Sequence, residues 1–149
     1  MIDENGKTTN FEFTETVLKG KCIMGLAEDE KGNIYFSLYQ FGPKEKGKLN
    51  HDEGIAVLYT DNTYKQFTTD NCGIPVNGTN DIVYDKNEKV LWISTDRAGL
   101  IRFDLDKGWE NYHNQNSQIL TSHIAAMEFD KNGNLILATR QGLVRMEKR

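Results

Sequence analysis

The stretch Thr79-Asn80-Asp81-Ile82-Val83-Tyr84-Asp85-Lys86-Asn87-Glu88-Lys89-Val90-Leu91-Trp92-Ile93-Ser94-Thr95 decides the fold. A half-apolar strand ends on an aspartate, a polar turn follows, and a strongly apolar strand begins five residues after the aspartate. The pattern occurs twice more. Ile23-Met24-Gly25-Leu26-Ala27-Glu28-Asp29 leads through Glu30-Lys31-Gly32-Asn33 to Ile34, and Ile124-Ala125-Ala126-Met127-Glu128-Phe129-Asp130 leads through Lys131-Asn132-Gly133-Asn134 to Leu135. Glycine and asparagine tolerate the positive φ of a tight hairpin, so each copy reads as two antiparallel strands. A large apolar residue sits seven positions after each aspartate, at Phe36, Trp92 and Leu137.

Working outward, each copy continues with a glycine that opens a third strand, at Gly54-Ile55-Ala56-Val57, Gly99-Leu100-Ile101-Arg102 and Gly142-Leu143-Val144-Arg145. Phe67 and Tyr112 then mark a fourth strand thirteen residues beyond the first two glycines, preceded by Tyr64 and Trp109. The aspartates are 56 and 45 residues apart. Four short strands in a unit of about 40–50 residues are the signature of a β-propeller blade. No segment keeps apolar residues at helical spacing, so the chain is expected to be all-β.

The copies divide one propeller domain into blade 1 (residues 21–71), blade 2 (72–116) and an incomplete blade 3 (117–149). The third copy lacks a fourth strand before Arg149. An orphan strand, Asn10-Phe11-Glu12-Phe13-Thr14-Glu15-Thr16 within residues 10–18, precedes the first copy. Phe13 lies 16 residues before Asp29, and Phe67 and Tyr112 each lie 18 before their own aspartates. An open blade leaves unpaired backbone groups, so the orphan strand is expected to complete a last blade. Rings have about 4–8 blades, and three do not close. The expectation is therefore a homodimer, each chain lending its N-terminal strand to the other to form a six-bladed ring. The alternative is one piece of a longer propeller.

Composition is in keeping with a folded, turn-rich chain: 149 residues, 13 glycines, 2 prolines and a net charge of −4. The mild acidity argues against a nucleic-acid partner. The longest apolar runs, such as Ile55–Tyr59, are strand-sized, so no membrane insertion is expected. Cys22 and Cys72 occupy different places in the repeat and read as free thiols.

The second copy resembles the two-component regulator propeller repeat, which reads N-x-I-x-x-D-x-x-G-x-L-W-I-G-T followed by a G-L/I strand. Asn80, Ile82, Asp85 and Val90-Leu91-Trp92-Ile93 carry the likeness, with Ser94 and Glu88 standing where that family has glycine. The third copy keeps Asp130, Gly133, Leu135 and Gly142-Leu143, and the first keeps Asp29, Gly32 and Ile34. The resemblance covers about residues 21 to 149. It implies an extracytoplasmic sensor domain of the kind borne by membrane-bound sensor kinases, often for oligosaccharides. A related propeller group includes lyases.

In a blade, the connections from strand two to three and from strand four to the next blade emerge on one face of the ring. Loops on a rigid scaffold carry function. The first two-to-three connection is long and places Tyr39, Phe41, His51, Asp52 and Glu53 there. The matching loops hold Asp96-Arg97 and Arg140-Gln141, and His123 enters the third copy from the same side. Tyr39, His51, Asp52, Arg97, His123 and Arg140 are thus the candidate ligand-binding residues, a mixture suited to a small polar or sugar-like ligand. The bland alternative is a solvated rim. His51-Asp52-Glu53 are adjacent on one loop and do not converge on an ion, so no metal or other cofactor is expected. No nucleophile sits in a recognisable context, so the chain is read as a non-catalytic binding module. A protein-interaction ring is the second reading, and a lyase or hydrolase using His51 or His123 as a base is the third.

Overall fold

The computed structural model describes residue 6 and residues 21–39, 52–104 and 106–147, with Tyr39, Asp52 and Glu53 described at the backbone only. The described residues are all-β apart from one helical turn, Thr69–Cys72. Eleven strands form three antiparallel sheets among the described residues. Sheet 1 contains β1 (Cys22–Glu28), β2 (Ile34–Tyr39), β3 (Asp52–Leu58) and β4 (Tyr64–Phe67). Sheet 2 contains β5 (Thr79–Asp85), β6 (Val90–Thr95), β7 (Leu100–Asp104) and β8 (Gly108–Tyr112). Sheet 3 contains β9 (Ile124–Phe129), β10 (Leu135–Thr139) and β11 (Gly142–Met146). Each sheet is a simple meander, as the repeat requires. The orphan strand at residues 10–18 lies outside the described residues.

The sheets stack face to face in chain order. The leading face of a sheet is the one turned toward the next sheet, and the trailing face is turned toward the one before. Ala27, Tyr35, Ile55, Val57 and Phe67 on the leading face of sheet 1 pack on Ile82, Leu91, Ile93, Ile101 and Phe103 of sheet 2. Val90, Trp92 and Leu100 on the leading face of sheet 2 pack on Ile124, Met127, Leu135 and Leu137 of sheet 3, with Ile119 from the connection. Sheet 2 is covered on both sides, which is why all six residues of β6 are buried. The first strands run side by side, β1 against β5 and β5 against β9, and form a common inner wall.

The three aspartates act as staples. Asp29 Oδ1 accepts the amides of Lys31 (2.8 Å) and Asn33 (2.9 Å), and Oδ2 accepts the Asn33 side chain (2.8 Å) and the Tyr35 hydroxyl (3.2 Å). Asp130 repeats the pattern with the Asn132 amide (2.8 Å) and both nitrogens of Asn134 (2.9 and 2.8 Å). Asp85 holds only the amides of Asn87 (2.8 Å) and Glu88 (3.2 Å). Burial pushes the Asp29 carboxyl up, but the bonds from Asn33, Lys31 and Tyr35 outweigh it and hold the group below its ordinary range. The bonds from Asn134 and Asn132, with Arg145 nearby, hold Asp130 low as well. A carboxyl whose folded-state pKa is depressed adds stability above the unfolded value, about 4, and loses it as pH falls through the folded value. The melting temperature is therefore expected to drop steeply below about pH 4. In Asp29→Asn and Asp130→Asn, melting curves across pH should show a shallower drop. An unchanged slope would mean these turns are not the acid-labile points.

The repeat departs from strict equivalence at one point. Phe36, Trp92 and Leu137 share a place in the sequence count, but Trp92 faces the opposite way. Leu26 pairs with Phe36 and Met127 with Leu137, whereas Val83 pairs with Trp92 and Ile82 with Ile93. The cause is the turn. Gly32 (φ 83°) and Gly133 (φ 81°) take the left-handed position three residues after the aspartate. In sheet 2 that place is Glu88, and the left-handed residue is Lys89 (φ 58°), one position later. A slip of one residue turns every side chain to the other face. Trp92 thereby leaves the trailing face and becomes the main plug between sheets 2 and 3.

Candidate functional site

Each first strand carries a bulge at the same place. The register breaks at Met24 in β1, at Asn80 in β5 and at Ala125 in β9, each five residues before its aspartate. A bulge leaves a residue out of the ladder and re-aims its side chain. The first strands adjoin, so the three bulges come together. Met24, Asn80, Asp81, Ala125 and Ala126 line an open cleft of about 330 Å³, and His123 stands at its side.

The cleft is well braced. Asn80 Nδ2 donates to the Ile124 carbonyl (2.8 Å), and its own carbonyl accepts the Ser37 hydroxyl (3.3 Å), so one residue links all three sheets. Asp81 accepts the amides of Ile82 (2.9 Å) and Met127 (2.9 Å), which ties sheet 2 to sheet 3. Both side chains are thus engaged with backbone groups.

His123 is half-buried at the end of the connection into β9. Its Nδ1 lies 2.5 Å from Asp96 Oδ1 and 3.0 Å from the Asp96 carbonyl. Both partners accept, so Nδ1 carries the hydrogen and Nε2 is the nitrogen available to a ligand. Arg97 Nε lies 3.3 Å from the other carboxylate oxygen of Asp96. The loop under this trio is pinned. Thr95 Oγ1 bonds the Gly99 carbonyl (2.7 Å) and receives the Ala98 amide (2.9 Å). The Asp96 amide bonds the Gly78 carbonyl (3.0 Å), and the Gly99 amide bonds the Ser122 carbonyl (2.8 Å). The last bond is a repeat feature, for Gly54 bonds the Asn77 carbonyl (2.9 Å) between sheets 1 and 2.

Of the six residues expected to meet a ligand, the structure joins Arg97 and His123 through Asp96. Arg140 lies apart. It is exposed in the β10–β11 turn and bonds no described side chain, because among the described residues no further connection follows sheet 3 for that turn to meet. Tyr39 and Asp52 face each other across β2 and β3 as backbone partners. His51 lies outside the described residues. Asp96, Asn80 and Met24 are additional members of the site. The sequence signal for the last two is their fixed distance from the aspartates.

No protein-family model matches the sequence, and no curated protein matches it. The fold, in contrast, has counterparts among solved structures. PorZ, a surface component of the type-IX secretion system of Porphyromonas gingivalis, is similar with a TM-score of 0.59 and 20% identity, over 83% of this chain and 17% of that one. The extracellular domain of BT4673 of Bacteroides thetaiotaomicron, described with one structure as a hybrid two-component system and with the other as a one-component system, is similar in both with TM-scores of 0.50 and 0.55 at 15% identity. These cover 85% and 84% of this chain and 21% and 20% of those chains. A catalytically inactive virginiamycin B lyase from Staphylococcus aureus, bound to quinupristin, is similar with a TM-score of 0.54 and 12% identity, over 87% of this chain and 53% of that one. This chain spans about a fifth of the first two proteins' length and about half of the third. At such identities the likeness establishes the fold alone: three antiparallel meanders arranged as in β-propeller domains.

Proposed function

We propose that this chain is a non-catalytic ligand-binding module of a β-propeller, taking a small polar ligand of the sugar type in the cleft beside His123. The observation that carries this reading is the meeting of three bulged residues, Met24, Asn80 and Ala125, at a histidine whose ring is oriented by Asp96. Imidazole Nε2 and an apolar floor of Met24 and two alanines suit hydroxyl-rich, weakly apolar molecules. The extracellular sensor domain among the structural neighbours supports a sensing role and an extracytoplasmic location. No helix among the described residues is long and apolar enough to cross a membrane.

The test is a thermal-stability screen against oligosaccharides. A ligand at 100 times its dissociation constant adds about 2.7 kcal/mol, which for a chain of this size raises the melting temperature by about 5–10 °C. The rise should vanish in His123→Ala. No rise with any saccharide, together with a stoichiometric protein complex, would replace this reading with the interaction ring.

A second reading rests on the Asp96–His123 contact. A carboxylate that orients a histidine also readies it as a general base, and a lyase stands among the structural neighbours. Turnover of a saccharide or cyclic peptide that disappears in both His123→Ala and Asp96→Asn would favour the enzyme over the binding module.

A further inference from the structure

The polar groups of the cleft gather where sheets 2 and 3 meet. Counting back from the aspartates, the first strands and their approaches offer three sets of equivalent places. Seven back stand Cys22, Gly78 and His123; five back, Met24, Asn80 and Ala125; four back, Gly25, Asp81 and Ala126. In each set one member carries a strong hydrogen-bonding side chain. Those members, His123, Asn80 and Asp81, line the same cleft. Gly25 adjoins the carboxylate so closely that a Cβ there would stand 2.6 Å from Asp81 Oδ1. Sheet 1 thus leaves free the space that the carboxylate occupies.

These groups have acceptors to spare and little to donate. A carboxylate has about four lone-pair sites. Asp81 spends one on each oxygen, on the amides of Ile82 and Met127. It takes part in none of the ion pairs among the described residues. The same two bonds fix the side chain, so little rotamer freedom is left for a ligand to remove. His123 commits its Nδ1 hydrogen to Asp96 and keeps the Nε2 lone pair. Asn80 gives one Nδ2 hydrogen to the Ile124 carbonyl. Its second hydrogen stands alone against its own Oδ1, the Asp81 carboxylate and Nε2. No lysine or arginine is among the lining residues, and the charge of nearby Asp96 is met by Arg97 and His123. A uronate, or a sulfated or phosphorylated sugar, would bring more acceptors and a like charge. A protonated amine brings three donors, no acceptor and the opposite charge.

We propose that the cleft selects saccharides that carry a protonated amine, with the ammonium on Asp81 and a hydroxyl donating to His123 Nε2. The inference rests on the reading of this cleft as a saccharide site and adds its charge selectivity. Asp81 is the selecting residue. An N-acetylated sugar keeps the ring and its hydroxyls but replaces the charged donor with a neutral amide, whose one hydrogen comes with an acceptor.

Isothermal titration calorimetry of the full chain at pH 7 and low salt tests this with trimers of glucosamine, N-acetylglucosamine and galacturonic acid. The glucosamine trimer is expected to bind about 10- to 100-fold more tightly than the N-acetylated one, the usual weight of a hydrogen bond to a charged group. The galacturonate trimer should bind most weakly. Asp81→Asn should bring the first two affinities together, whereas His123→Ala should weaken both alike. In the native protein, raising NaCl from about 20 mM to about 500 mM should weaken the glucosamine trimer and spare the N-acetylated one. That comparison reads the same contact should Asp81→Asn, which loses an acceptor for a backbone amide, not fold. Equal binding of the first two trimers, tighter binding of the galacturonate, or a preference that survives in folded Asp81→Asn would overturn the amine selectivity and leave the saccharide site standing. No binding of any saccharide would overturn the site itself, and the proposal with it.

Discussion

Gly99→Ala is expected to cost about 2–5 kcal/mol: about 1–2 for a side chain in the left-handed region and about 1–3 for the displacement its Cβ forces. Gly99 has a φ of 84°, and a Cβ there would collide with the carbonyl oxygen of Tyr112. The obstacle is backbone of β8, so no side-chain rotation relieves it. Gly54, with φ 71°, meets the Phe67 carbonyl in the same way, so the tight approach belongs to the repeat rather than to one loop. The control is Gly108→Ala. That glycine also has positive φ (94°), but a Cβ would touch nothing within 4 Å, and the loss should be only about 1 kcal/mol. Denaturant titration separates the two. Equal losses at both sites would show that φ alone, and not the crossing of β7 and β8, sets the penalty. Folded domains have a total stability of about 5–15 kcal/mol, so the Gly99 variant approaches unfolding. Whatever remains folded should have a disordered Asp96–His123 pair, because the Gly99 amide anchors the connection that carries His123.

The architecture was legible in the sequence because the aspartates mark it twice over. They end strand one and they hold the turn, so their recurrence locates a hairpin each time, and the glycine and aromatic that follow locate the other two strands. Three features escaped for separate physical reasons. The face of Trp92 depends on one residue of turn register. The only hint was Glu88 in the place of a glycine, which pushes the left-handed residue to Lys89. The bulges escaped because Met24, Asn80 and Ala125 share no chemistry, only a position. The Asp96–His123 pair escaped because its members come from different connections that only the stacking of sheets 2 and 3 brings together. The same stacking explains the misplaced Arg140. It matches Arg97 in sequence, but Arg97 owes its setting to the sheet that follows its own.

Trp92→Ala should be the most informative substitution in the core. Trp92 is 9% exposed and packs on Tyr112, with ring centres 5.9 Å apart, inside the cluster that joins sheets 2 and 3. Loss of a buried aromatic of this size costs about 3–5 kcal/mol. The distribution of the loss matters more than its size. Each sheet touches only its neighbours, so stability behaves as a sum of sheet terms and interface terms along the stack. The tryptophan contributes to one interface, and the cluster between sheets 1 and 2 does not contain it. Hydrogen exchange should therefore quicken in β9, β10 and β11 while β1–β4 keep their protection. Truncating Phe67, which belongs to the other cluster, should reverse the pattern and loosen sheet 1 first. Uniform loss of protection in both variants would mean that the three sheets unfold as one unit. The sheet-by-sheet energetics would then be wrong, even though the sheet-by-sheet sequence is right.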